Sequence, residues 1–151
     1  MTSAITFMNN AISISTNTTT YTDISSLGNS VKVSAGARGI AEEYFFSSDT
    51  AVVQPGKRAP ADVEFLIAYT EVATDPFEQY ARPAYENHTP IYLRWTPQAR
   101  NTGAGTISVF TTDAFYVTDI PYPQGDAKAD KIITFSLKGR TAYITKSTTT
   151  A

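Results

Sequence analysis

Apolar and polar residues alternate with a period of two along much of the chain, the spacing of strands that bury one face and wet the other. Ile12 and Ile14 mark the first such segment, 11–16, and the polar run 17–20 reads as a turn. Segments 21–27 and 30–35 follow. The second sets Val31, Val33 and Ala35 on one face and Lys32 and Ser34 on the other, and Gly28-Asn29 between the two predicts a hairpin. Segment 61–71 has the strongest pattern, with Val63, Phe65, Ile67 and Tyr69 on one face and the partly apolar Leu66 and Ala68 on the other. Apolar character on both faces is the mark of a central strand. Segments 90–95, 105–111, 113–119, 131–137 and 141–146 bring the expectation to about nine strands, with loops at 98–103 and 121–130.

The alternation lapses over 36–60. Early glycines, Pro55-Gly56, and a charged rim of Arg38, Glu42, Glu43, Lys57 and Arg58 surround Tyr44-Phe45-Phe46 and Val52-Val53, so the segment is expected to be a long loop. Loops of that length are functional or disordered. Leaving these side chains in water costs roughly 1.5–3 kcal/mol each relative to burying them. Either a neighbouring subunit covers them or the segment folds back on its own domain as a β-excursion.

One helix is signalled, at about 75–87. Asp75 is placed as N-cap, Pro76 at the first helical position and Glu78 to complete a capping box. Phe77, Tyr80, Ala81, Ala84 and Tyr85 then form a stripe at helical spacing. Pro83 inside it predicts a kink, or a helix restarting with Pro83 in its first turn. Strands in series, interrupted by one helix, give a mainly β class: an antiparallel sandwich or barrel of about nine strands with one flanking helix. A length of 151 residues suits a single domain over 1–151, with flexible ends expected at 1–10 and 147–151.

Composition narrows the chemistry. There is no cysteine, which excludes disulfides and thiolate metal sites. Lys plus Arg number 12 against 14 Asp plus Glu, without a basic cluster, which disfavours tight non-specific nucleic-acid binding. The longest apolar run, 65–69, is far below the roughly 20 residues of a membrane helix, and 1–10 lacks the basic start of a secretory signal, so no membrane insertion is expected. His88 stands alone, in Asn87-His88-Thr89-Pro90, with no second imidazole to complete a zinc site and no G-x-S-x-G elbow around any serine for a triad that would recruit it, and reads as a surface turn residue. Glu42-Glu43 are neighbours whose side chains diverge, wrong for a catalytic pair. Gly103-Ala104-Gly105 leads into a strand and reads as a turn, not a phosphate cradle. Trp95 shares a face with Ile91 and Leu93, which favours a core or interface position over a sugar-stacking platform. No enzyme, cofactor or metal assignment follows.

Four stretches resemble the major tail tube proteins of long-tailed bacteriophages. They are Ile12-Ser13-Ile14-Ser15-Thr16, Tyr21-Thr22-Asp23-Ile24, the helix Asp75-Pro76-Phe77-Glu78-Gln79-Tyr80 ending in Ala84-Tyr85-Glu86-Asn87, and Ile132-Ile133-Thr134-Phe135-Ser136-Leu137-Lys138-Gly139. The likeness covers nearly the whole chain. It implies two packed antiparallel sheets with a flanking helix, six subunits per ring, and rings stacked into a hollow conduit for genome delivery. Open sheet edges, a hazard in a monomer, would then continue the sheet from copy to copy. The long loop would contact neighbouring subunits, making Arg38, Glu42, Glu43, Tyr44, Phe45, Phe46, Val52, Val53, Lys57 and Arg58 the candidate interface. The implied partners are further copies, tail tip, tape measure and terminator proteins, and DNA in transit; the implied location is the virion, after synthesis in the host cytoplasm. The near-neutral charge suits a bore that does not retain DNA. Two alternatives stand beside it: a tube subunit of a bacterial contractile injection or type VI secretion system, and a monomeric carbohydrate- or ligand-binding sandwich using Trp95 and surface tyrosines.

Overall fold

The computed structural model describes residues 10–70, 72, 74–99, 106–122 and 133–150, and over these the chain forms eleven strands. In chain order they are β1 (Ala11–Ser15), β2 (Thr22–Asp23), β3 (Gly28–Ser34), β4 (Arg38–Glu43), β5 (Val52–Arg58), β6 (Ala61–Ala68), β7 (Tyr92–Thr96), β8 (Thr106–Thr112), β9 (Phe115–Asp119), β10 (Thr134–Thr141) and β11 (Ile144–Thr150). A five-stranded sheet has the order β11-β8-β7-β1-β2, a four-stranded sheet the order β3-β6-β10-β9, and β4 and β5 make a separate pair. Every pairing is antiparallel, and neither large sheet closes into a barrel.

The inward positions of the two sheets meet in one core. Ile12, Ile14, Leu93 and Trp95 face Val63, Phe65, Ile67, Phe135 and Leu137. Trp95 sets its edge against Phe65 at 6.0 Å and stacks on Phe110 at 5.7 Å, the core position its alternation predicts. β6 is central, with β10 paired along its whole length on one side and β3 on the other. The sheets are stitched at one corner, where Ile91 and Phe115 exchange two backbone hydrogen bonds of 2.9 Å. β9 runs so close to β10 that a Cβ on Gly139 would lie 2.2 Å from the Tyr116 carbonyl oxygen, so only glycine fits there.

The helix is composite. Asp75 is fully buried; its carboxylate accepts from the Thr70 N–H (3.1 Å), the Thr70 hydroxyl (2.9 Å) and the Glu78 N–H (3.2 Å). The capping box is not completed, because the Glu78 carboxylate turns to Arg82 (2.9 and 3.0 Å) and the Tyr69 hydroxyl instead. A π-helical stretch, Phe77–Ala81, passes into α1 (Arg82–Asn87), with Pro83 in its first turn. The restart expected from Pro83 therefore takes the form of a change in helix type, in which the Arg82 N–H reaches back to the Phe77 carbonyl. Phe77, Ala81 and Ala84 are buried, while Tyr85, on the predicted stripe, is turned outward. Phe77 lies 4.9 Å from Phe135, which fixes the helix onto the four-stranded sheet. His88, in the left-handed region at φ 55°, ends the helix by donating its N–H to the Ala84 carbonyl.

One sequence expectation is corrected, and two stretches hold more strand than the sequence signalled. Gly28-Asn29 is not a hairpin turn: Gly28 opens β3, and β2 and β3 belong to different sheets. The chain crosses between layers there, with the Ile24 N–H bonded to the Ile12 carbonyl at 3.0 Å and Ile24 buried. Within the threonine-rich end, β11 pairs with β8 from Ile144↔Thr112 to Thr150↔Thr106. The long loop 36–60 carries β structure of its own, the strands β4 and β5. The loops expected at 98–103 and 121–130, and the end at 1–10, fall largely outside the described residues.

Candidate assembly surface

The segment 36–60 forms an arm that prolongs the ladder between β3 and β6. The last rung of that ladder is Ser34↔Asp62; the Ala59 N–H then donates to the Ala37 carbonyl at 2.9 Å, and β4–β5 pairing resumes at Arg38↔Arg58 and runs to Glu43↔Val52. At the root the strands are pressed together: a Cβ on Gly36 would meet the Ala59 carbonyl oxygen at 1.7 Å. With strands of 6 and 7 residues at ~3.3 Å per residue, the arm extends about 20 Å before its tip at 44–51.

None of the arm is buried. Tyr44 is 70% exposed, Phe45 55%, Phe46 fully, Val52 43% and Val53 57%. Each would be stabilised by roughly 1.5–3 kcal/mol on burial, and among the described residues none covers the patch. Of the two readings of this segment, folding back on its own core is the one the structure does not show. Alternation along the ribbon sorts the residues: Ile40, Pro55 and Val53 share one face with Glu42, while Val52 lies on the other with Glu43. Glu42 and Glu43 therefore point apart. Charge is also graded along the arm, with Glu42 and Glu43 near the tip and Arg38, Lys57 and Arg58 near the root. The like-charged rung Arg38↔Arg58 is eased because the Arg38 guanidinium donates to the Gly56 carbonyl at 2.9 Å.

All candidate interface residues named from the sequence thus fall on this arm, and all are exposed. Sequence reasoning missed Ile40, 66% exposed and opposite Pro55. Its signal was weak, a single isoleucine between Gly39 and Ala41. The arm is not the whole of the uncovered surface. β3 and β9 are the edges of the four-stranded sheet, and β2 and β11 those of the five-stranded sheet. A shallow trough lined by Ala84, Tyr85, Glu86, His88, Tyr116 and Val117 runs beside β9, where α1 packs against it.

No protein-family model and no curated protein matches the sequence. Solved structures do share the fold. One is the anti-feeding prophage cap, the tube-terminating cap of that particle, at 11% identity over 100% of this chain and 94% of the other, with a TM-score of 0.73. Another is the PVC sheath/tube terminator of an extracellular contractile injection system in its extended state, at 12% identity over 97% and 98%, again with a TM-score of 0.73. At these identities the likeness is one of fold, and it spans both chains almost end to end. The two-sheet fold implied by the resemblance to tail tube proteins is present, carried here by structures of tube terminators.

Proposed function

We propose that this chain is a non-enzymatic structural subunit of a phage-tail-like particle, and that it forms a ring terminating the tube. The observation that carries this is the end-to-end likeness to two tube-terminating proteins at a TM-score of 0.73. The arm supports it, since a paired ribbon with an apolar tip that no described residue covers suits a contact with a neighbouring copy or with the tube. In this reading the partners are further copies of the chain and the last ring of the tube, the rings are six-fold, and the bore lets the tube's cargo pass.

A second reading, the repeating subunit of the tube itself, is favoured by the segment likenesses to major tail tube proteins. Growth separates the two. The purified protein, followed by negative-stain electron microscopy and size-exclusion chromatography at rising concentration, is expected to give single rings that do not lengthen. Added to preformed tubes of the same particle, it binds one end and stops their growth. Hollow tubes of the protein alone would establish the second reading. A monomer at every concentration, with tubes present, would overturn both and favour a monomeric binding sandwich.

A further inference from the structure

The two sheets differ in what their edges allow a second copy to do. In an antiparallel sheet of even strand number the edge strands run in opposite directions, so a copy related by rotation brings its first edge antiparallel to the last edge of its neighbour. The four-stranded sheet, with edges β3 and β9, is of this kind. The five-stranded sheet is not: β2 and β11 run the same way, and β2 contributes 2 residues. Head-to-tail continuation therefore favours the β9 edge of one copy against the β3 edge of the next.

The side chains on those edges are complementary. Across the outer face of the four-stranded sheet, the register sets Lys32 beside Glu64, Glu64 beside Lys138, and Lys138 beside Asp119. The row thus alternates in sign from edge to edge, beginning basic on β3 and ending acidic on β9. Lys32 is the one charged residue of β3 and Asp119 the one charged residue of β9, and both are exposed. Along β9 the trough walled by α1 offers Tyr85 and Tyr116, 43% and 49% exposed, with Glu86 adding a second acid. On β3, Val33 alternates inward with Val31 yet stays 42% exposed, because no strand lies beyond it.

Resting on the ring reading above, we infer that Lys32 of one copy pairs with Asp119 of the next across a β3–β9 junction, and that this pair selects which edges join. A lysine stem spans a direct or diagonal cross-strand position, so the pair forms at either offset. A like-signed junction would instead set two identical charges on adjoining strands, which is destabilising.

Charge exchange tests it. In Lys32→Glu and in Asp119→Lys the concentration needed for half-assembly is expected to rise about tenfold, and in the double variant to return toward the wild-type value. Both sites are exposed, so circular dichroism should stay as in wild type, with at most a small fall in melting temperature from the like charge each exchange sets beside Glu64 or Lys138 in the same copy. A second measurement uses the absence of cysteine from the chain. Assembled Lys32→Cys/Asp119→Cys protein treated with a short bismaleimide should give a ladder of covalent multimers, and either single cysteine variant none beyond a dimer. Rings that assemble equally in all charge variants, or give no ladder, would overturn the junction and leave the ring reading standing. A wild-type chain that never assembles would overturn both.

Discussion

Glu78 receives hydrogen bonds from the Arg82 Nε and Nη2 at 2.9 and 3.0 Å, and this contact, with the charge of Arg82 and a weaker bond from Tyr69, holds its carboxyl below the usual range against the opposing effect of burial. A carboxylate with a folded pKa below its unfolded one adds stability above the unfolded value, near 4.3, and loses it as pH falls through the lower folded value. Glu78→Gln should therefore be less stable than wild type at neutral pH. The gap is small, about 0.3–0.5 kcal/mol, as for other partly exposed i, i+4 pairs. Thermal melts from neutral to strongly acidic pH should show the two curves converging below about pH 4. A gap constant across that range would mean that the ion pair does not contribute through the charge of Glu78. The same residue marks a limit of reading sequence. A glutamate three positions after an N-cap fits a capping box, but Arg82 one turn on offers it a charged partner, and the charged hydrogen bond is the stronger.

At the level of elements, Asp75 shows how one side chain ties a helix to a sheet. Its carboxylate holds the Thr70 N–H and hydroxyl after β6 and the Glu78 N–H in the first helical turn. Asp75→Ala leaves those donors unpaired in a buried setting and is expected to cost about 1–3 kcal/mol in chemical denaturation, with Asp75→Asn costing less. An Asp75→Ala variant as stable as wild type would show that water replaces the carboxylate freely. The start of this helix was legible because Asp75, Pro76 and the apolar stripe are local signals. The strands in the core were legible for a similar reason: a segment with one buried face, such as β6 or β10, records that face in every second residue. Where neither face is buried that record is lost. β4 and β5 contain no buried residue, and Pro55 reads as a strand breaker although a two-stranded ribbon tolerates its missing N–H. The exposed Thr148 and Thr149 of β11 likewise gave no alternation to read. The apolar residues of the arm were visible as a cluster of aromatics ringed by charge. That they stand on a ribbon was not, because it depends on pairing between β4 and β5 across the tip.

For the whole molecule, the arm divides stability from assembly. No buried residue lies between 35 and 60, so the core makes no use of the arm. Its root is already closed, with the Ala59 N–H on the Ala37 carbonyl at 2.9 Å. Replacing 38–58 by Asn-Gly would join β3 to β6 through a two-residue turn of the kind antiparallel strands favour. Shortening the connection also lowers the entropy lost in closing it. The shortened chain is therefore expected to fold with stability at least equal to that of the full chain in denaturant melts, while failing to form rings or to bind tube ends in electron micrographs. If it assembles as the full chain does, the exposed aromatics of the arm are not the assembly surface, and the sheet edges β3 and β9 suffice. If it cannot fold, the arm has a part in the core that its exposure conceals. The first outcome would show that an arm that contributes little to the stability of one copy is kept for its contact with another.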